Sequence, residues 1–146
     1  MILAVALSIA GCHRSEGRHL ERPVTDDELA GTWIMNPASV KDLRDVGYTL
    51  PIDPSNQRIV FQPGGNCTFA TITPTAIREG SAAAVAELPC RWRIGKVNHQ
   101  AVVIDVDTDP PSHTHYFFDE TEDHRLQLWQ YVDDPDAWRY VEYLRQ

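Results

Sequence analysis

The chain has 146 residues and a formal net charge of −8, from 13 Lys and Arg against 21 Asp and Glu. That length suits one ordinary domain with a single core. The acidic balance argues against nucleic acid as a partner, because no basic patch is available to neutralise phosphates.

Residues 1–11, MILAVALSIAG, carry no charge. The run is too short for a spanning helix, which needs about 20 apolar residues, but it has the length of a signal-peptide apolar region. Ile9-Ala10-Gly11-Cys12 resembles the lipobox of bacterial lipoprotein signal peptides. The resemblance implies that residues 1–11 are removed and that Cys12 becomes the acylated N-terminus. The membrane is then a partner through the acyl chains. His13 stands where an Asp would signal inner-membrane retention, so the expected location is the outer membrane, facing the periplasm. Residues 12–22 are polar and read as a flexible tether, leaving 23–146 as the domain. The alternative is an apolar N-terminal strand ending at a buried cysteine.

Two cysteines remain, Cys67 and Cys90. In an oxidising periplasm they read as one disulfide closing a loop of moderate length. The alternative is two separate buried thiols.

Thr25 and Glu28 have capping-box spacing and start a short helical turn, with Gly31 placed to end it. A first strand over 32–35 follows. Asn36-Pro37 then opens a helix with an apolar stripe of Val40, Leu43 and Val46, stopped by Gly47. Residues 48–56 read as a loop. Strands over 57–62 and 67–72 flank Pro63-Gly64-Gly65-Asn66, a hairpin signal. Residues 74–89 form an Ala-rich connection with a short helix predicted over 81–87. Cys90, Trp92 and Ile94 alternate with Arg91 and Arg93, as in a strand with one buried face. Further strands are predicted over 100–106, 114–118, 125–131 and 138–144. Eight short strands joined mostly by tight turns fit an all-β antiparallel barrel or sandwich.

Leu29-Ala30-Gly31-Thr32-Trp33 resembles the opening of lipocalin-type barrels, where a helical turn precedes a Gly-x-Trp strand. The helix ending at Gly47-Tyr48, the hairpin PGGNCTF, the strand RWRI and the late LQLWQYVDDPDAW extend the likeness in order. The pattern is similar to uncharacterised bacterial lipocalin-like proteins over residues 29–144. It implies an eight-stranded lipocalin-like barrel with a short helix after the first strand, and a tryptophan plugging one end. It implies no activity, because such barrels host carriers, inhibitors and occasional enzymes.

Candidate chemistry is sparse. His113 and His115 are the metal candidates, since residues i and i+2 of a strand share a face and imidazole suits zinc. A structural zinc site takes four ligands, and no cysteine joins them, so no metal or cofactor is assigned. Asp105, Asp107 and Asp109 begin like a calcium loop, but Pro110 and Tyr116 stand where it needs Gly and Glu. Asp133, Asp134 and Asp136 read as turn formers around Pro135. No nucleophile elbow or phosphate-binding glycine loop is present, so no catalytic residue is assigned and the protein is read as a non-enzyme. Trp33, Phe69, Trp92, Tyr116, Phe118 and Trp129 are the candidate ligand-binding residues, lining a barrel interior or filling it as core. The expected function is a cell-envelope lipoprotein holding a small apolar or amphipathic ligand in a barrel mouth bounded by the 47–56 and 73–89 loops. The alternative is an inhibitor or interaction module acting on a basic envelope enzyme, such as a lysozyme or protease, steered by the acidic charge.

Overall fold

The computed structural model describes residues 18–20, 22–48, 53, 56–70, 87–97, 101–108, 113–132 and 139–146. The lipobox lies outside them, as do residues 81–86 of the segment expected to be helical over 81–87 and most of the loops expected to bound a mouth. No helix among the described residues is long and apolar enough to cross a membrane.

The fold is mostly β. The strands are β1 (Arg18–His19), β2 (Gly31–Met35), β3 (Arg58–Gln62), β4 (Asn66–Ala70), β5 (Leu88–Val97), β6 (Ala101–Thr108), β7 (His113–Glu120), β8 (Leu126–Tyr131) and β9 (Tyr140–Arg145). They form one antiparallel sheet in the order β1-β7-β6-β5-β4-β3-β2-β9-β8. β7 also pairs with β8, so the sheet curls into a barrel-like form. Among the described residues the count is nine, where the sequence predicts eight. The extra strand is β1, whose Arg18 and His19 pair with Glu120 and Asp119. Leu20 beside it is buried in the core. Arg18, His19 and Leu20 thus belong to the sheet and core although they fall in the segment expected to be tether. Two paired residues and one buried leucine leave no periodicity by which a sequence could announce them.

Among the described residues, two helices accompany the sheet. α1 (Asp26–Leu29) is a single turn held by a complete capping box. The Thr25 side chain accepts from the Glu28 amide, and Glu28 Oε2 accepts from the Thr25 amide at 2.9 Å. α2 (Pro37–Asp45) is capped by Asn36, whose Oδ1 accepts from the Ala38 amide. Val40 and Leu43 turn into the core, but Val46 is 44% exposed and leaves the predicted stripe. Val46 is the C-cap, where the chain departs from helical phase. Ser39 on the buried face accepts from the Glu142 amide and ties α2 to β9.

Cys67 and Cys90 are direct partners across β4 and β5 and form a disulfide with Cα atoms 4.8 Å apart. Gly64 and Gly65 both hold φ near +81° in the β3–β4 turn, a region glycine enters without penalty. Phe61, Ile59, Trp33, Met35, Tyr116, Phe118, Leu128 and Tyr143 converge on the interior. Burial on this scale contributes about 25 cal/mol for each Å² of apolar surface removed from water, the main stabilising term.

Candidate functional site

Five of the six candidate ligand-binding aromatics share one packed core. Trp33 is fully buried and its indole N–H donates to the Leu29 carbonyl at 2.9 Å. Trp92 meets Phe61 edge-on at 5.6 Å and aims its N–H at the carbonyls of Gln62 and Asn66. Phe69, Tyr116 and Phe118 are buried with them. Trp129 does not join the group. It stands on the opposite face of β8 from Leu128, stacked on Phe117 at 4.5 Å and edge-on to Tyr131 and Tyr140. The expected set is therefore split, because strand parity puts Trp129 on the other face of the sheet, where it is buried among Phe117, Tyr131 and Tyr140.

The interior carries two polar atoms with no hydrogen-bond partner among the described residues, the Tyr116 hydroxyl and Gln130 Oε1. The Gln130 amide donates to the Tyr143 hydroxyl at 2.9 Å. Burial pushes the Tyr116 phenol well above its ordinary pKa of 10, and the neighbouring Tyr143 adds to that shift without meeting hydrogen-bond geometry. Tyr116 and Tyr143 are closed to solvent and Gln130 nearly so.

Among the described residues, an open cleft lies at one end of the sheet. A cleft of about 400 Å³ is bounded by the β7–β8 turn, the end of β9 and the segment around α1. Three arginines line it, Arg22, Arg125 and Arg145, with His124 and Gln146 beside them and Glu28 the one acidic side chain of the lining. Leu126 and Leu144 supply apolar surface, Leu144 being 43% exposed. An arginine-lined cleft with apolar surface thus sits in a chain of net charge −8, with Glu28, Glu120 and Asp123 paired to its basic groups.

Each cation is positioned by local structure. Arg22 pairs with Glu28 at 2.7 Å and reaches Glu120 at 3.8 Å. The Thr25 backbone hydrogen bond holds the Glu28 carboxyl below its usual pKa against some desolvation, and Arg22 adds to this. Arg145 stands opposite Trp33 in the register and donates through Nη2 to the Ala30 carbonyl at 2.6 Å. Gly31 makes that reach feasible, since a Cβ there would lie 3.2 Å from Arg145 Nε. Arg125 closes the β7–β8 turn, with Nε 2.7 Å from Asp123. Thr121 organises the turn by accepting from the Arg125 amide and bonding Asp123 at 2.6 Å. His124, at its tip, holds φ +60°. This is the left-handed region, in which His is enriched over most non-glycine residues.

Comparison with protein-family models, curated proteins and solved structures finds no match to this chain.

The sequence does not single out this site. Arg22 falls in the supposed tether and Arg125 at a predicted strand start, while Arg145 lies beyond the last predicted strand. Nothing in their spacing reveals that they meet. Among the described side chains, no group of three or more His, Cys, Asp or Glu is placed to hold a metal.

Proposed function

We propose that this protein is a non-catalytic lipoprotein of the cell envelope, with a lipocalin-like barrel that binds a small amphipathic anion. The ligand sits in the cleft at the end of the sheet and not among the core aromatics. The observation that carries this reading is three guanidinium groups around an apolar floor in one 400 Å³ space. Arginine suits carboxylate and phosphate groups because its planar fork can offer two parallel donors. The leucines favour an alkyl or ring portion on the same molecule. The barrel identity rests on the curled antiparallel sheet and the Gly31-Thr32-Trp33 opening, and the anchor rests on the Ile9–Cys12 motif.

Dodecanoate and dodecanol separate charge from apolar length. Dodecanoate is expected to bind and dodecanol to bind far more weakly. Arg125→Ala changes an exposed side chain and should weaken dodecanoate about tenfold, equal to about 1.4 kcal/mol. Equal binding of the two compounds, or no effect of Arg125→Ala, would sink the cleft reading. Cys12→Ser is expected to release the protein from membranes, read by fractionation, and a mutant that still sediments with them refutes the anchor.

The net charge of −8 favours a second reading, an inhibitor of a basic envelope enzyme. Such an association should weaken steeply with salt.

A further inference from the structure

Strand register places the cleft and the entry of the chain at the same end of the sheet. Glu120 on β7 stands opposite Leu126 on β8, Gln127 opposite Leu144 on β9, and Arg145 opposite Trp33 on β2. The β7–β8 turn, the end of β9 and the start of β2 therefore share that end, where the cleft opens. β1 runs antiparallel to β7, and its first residue, Arg18, stands opposite Glu120, next to the cleft residue Thr121. The chain thus enters the sheet at the cleft end. α2 leaves from the other end of β2, after Met35. Beyond α2, the Tyr48 hydroxyl accepts from Arg139 at 3.0 Å, beside the end of β9 that lies away from the cleft.

Arg18 lies six residues on from Cys12, the expected acylation site. Six residues fully extended reach about 20 Å. β5, ten residues long, runs about 33 Å at the usual rise of a strand. The link is shorter than the sheet is long, so an anchor at Cys12 holds the cleft end beside the bilayer. We propose that the cleft end is a membrane-docking surface, seated on the headgroup layer of the leaflet that carries the anchor, and that the cleft exchanges its amphipathic ligand with that leaflet. This inference rests on the acyl anchor and on the cleft reading given above. The surface suits a lipid partner. Leu144, 43% exposed, presents an apolar side chain at the cleft. Arg125 and Arg145 can offer guanidinium groups to lipid phosphates. Glu28, Glu120 and Asp123 pair with basic groups at the same end, so attraction is confined to a phosphate at the cleft itself. The anchor supplies proximity, and Leu144 and the arginines supply orientation.

The test uses the full lipidated chain in vesicles of phosphatidylethanolamine and phosphatidylglycerol. Cys67 and Cys90 are bridged, so one added cysteine can carry a fluorophore. Two exposed positions are compared, Glu122→Cys in the β7–β8 turn and Lys41→Cys in α2. With a nitroxide on the lipid headgroup, the label at 122 should lose its emission and the label at 41 should keep it. Leu144→Asp should shrink that difference, with circular dichroism confirming that the fold is kept. A loss at 41 equal to or greater than that at 122 overturns the proposal. So does a difference that Leu144→Asp leaves untouched. Two controls separate this result from the readings beneath it. A chain that mass spectrometry finds without acyl groups on Cys12 overturns the anchor, and this inference with it. Dodecanoate is titrated into the Cys12→Ser chain in the absence of vesicles. Failure to bind there overturns the cleft reading and the exchange of ligand. A chain that binds dodecanoate but loses emission at the wrong position keeps the cleft and refutes the docking.

Discussion

Gly31 shows how much one residue position can decide. Its φ of +138° is one that side-chain-bearing residues rarely adopt, and its missing Cβ lets Arg145 lie against the end of α1. Gly31→Ala is expected to cost about 1–3 kcal/mol through backbone strain. Arg145 Nε is the end of a flexible side chain and would yield first, so dodecanoate affinity should fall as well. Denaturant midpoints and binding titrations on the same variant check both effects. The sequence offers Gly31 as a helix stop, yet α1 ends at Leu29 with Ala30 as its cap, and Gly31 opens β2. The residue was legible as special. Its reason was not, because the guanidinium it accommodates comes from the last strand of the chain.

The local elements were the most readable. The α1 capping box, the Asn36-Pro37 start of α2 and the Pro63–Asn66 hairpin all form within a few residues, so their signals lie in short stretches of sequence. Thr25→Ala should destabilise the protein by about 1 kcal/mol through loss of the cap. Glu28 adds a pH dependence of definite sign. Its carboxyl is held below the usual 4.5 in the folded chain, so its stabilising contribution is present above that value. It is lost as pH falls through the lower, folded value. The wild type should therefore lose stability more steeply than Glu28→Ala in acid below about pH 4.5, measured by urea unfolding at a series of pH values. Strand edges were less readable. β5 runs from Leu88 to Val97, well beyond the alternation seen at Cys90–Ile94, because pairing with a long β6 extends it.

On the scale of the whole molecule, the disulfide is the clearest agreement between sequence and structure. Cys67 and Cys90 lie on neighbouring strands in direct register, so the bridge closes the loop that contains the Ala-rich connection. The double change Cys67→Ser and Cys90→Ser should lower unfolding free energy by about 3 kcal/mol, mostly by freeing the unfolded chain. A loss well under that, in matched denaturant curves, would mean that the strands hold the loop without it. Features that depend on near neighbours are written in the chain: a β-rich pattern, two capped helices, a glycine hairpin and cysteines available to pair. The face that each aromatic takes emerges only on folding, and Trp129 stands apart from the other five. Arg22, Arg125 and Arg145 likewise reach one cleft only in the folded chain. Those meetings are set by strand register and by the curl of the sheet, and a shift of one residue in register would move each side chain to the opposite face.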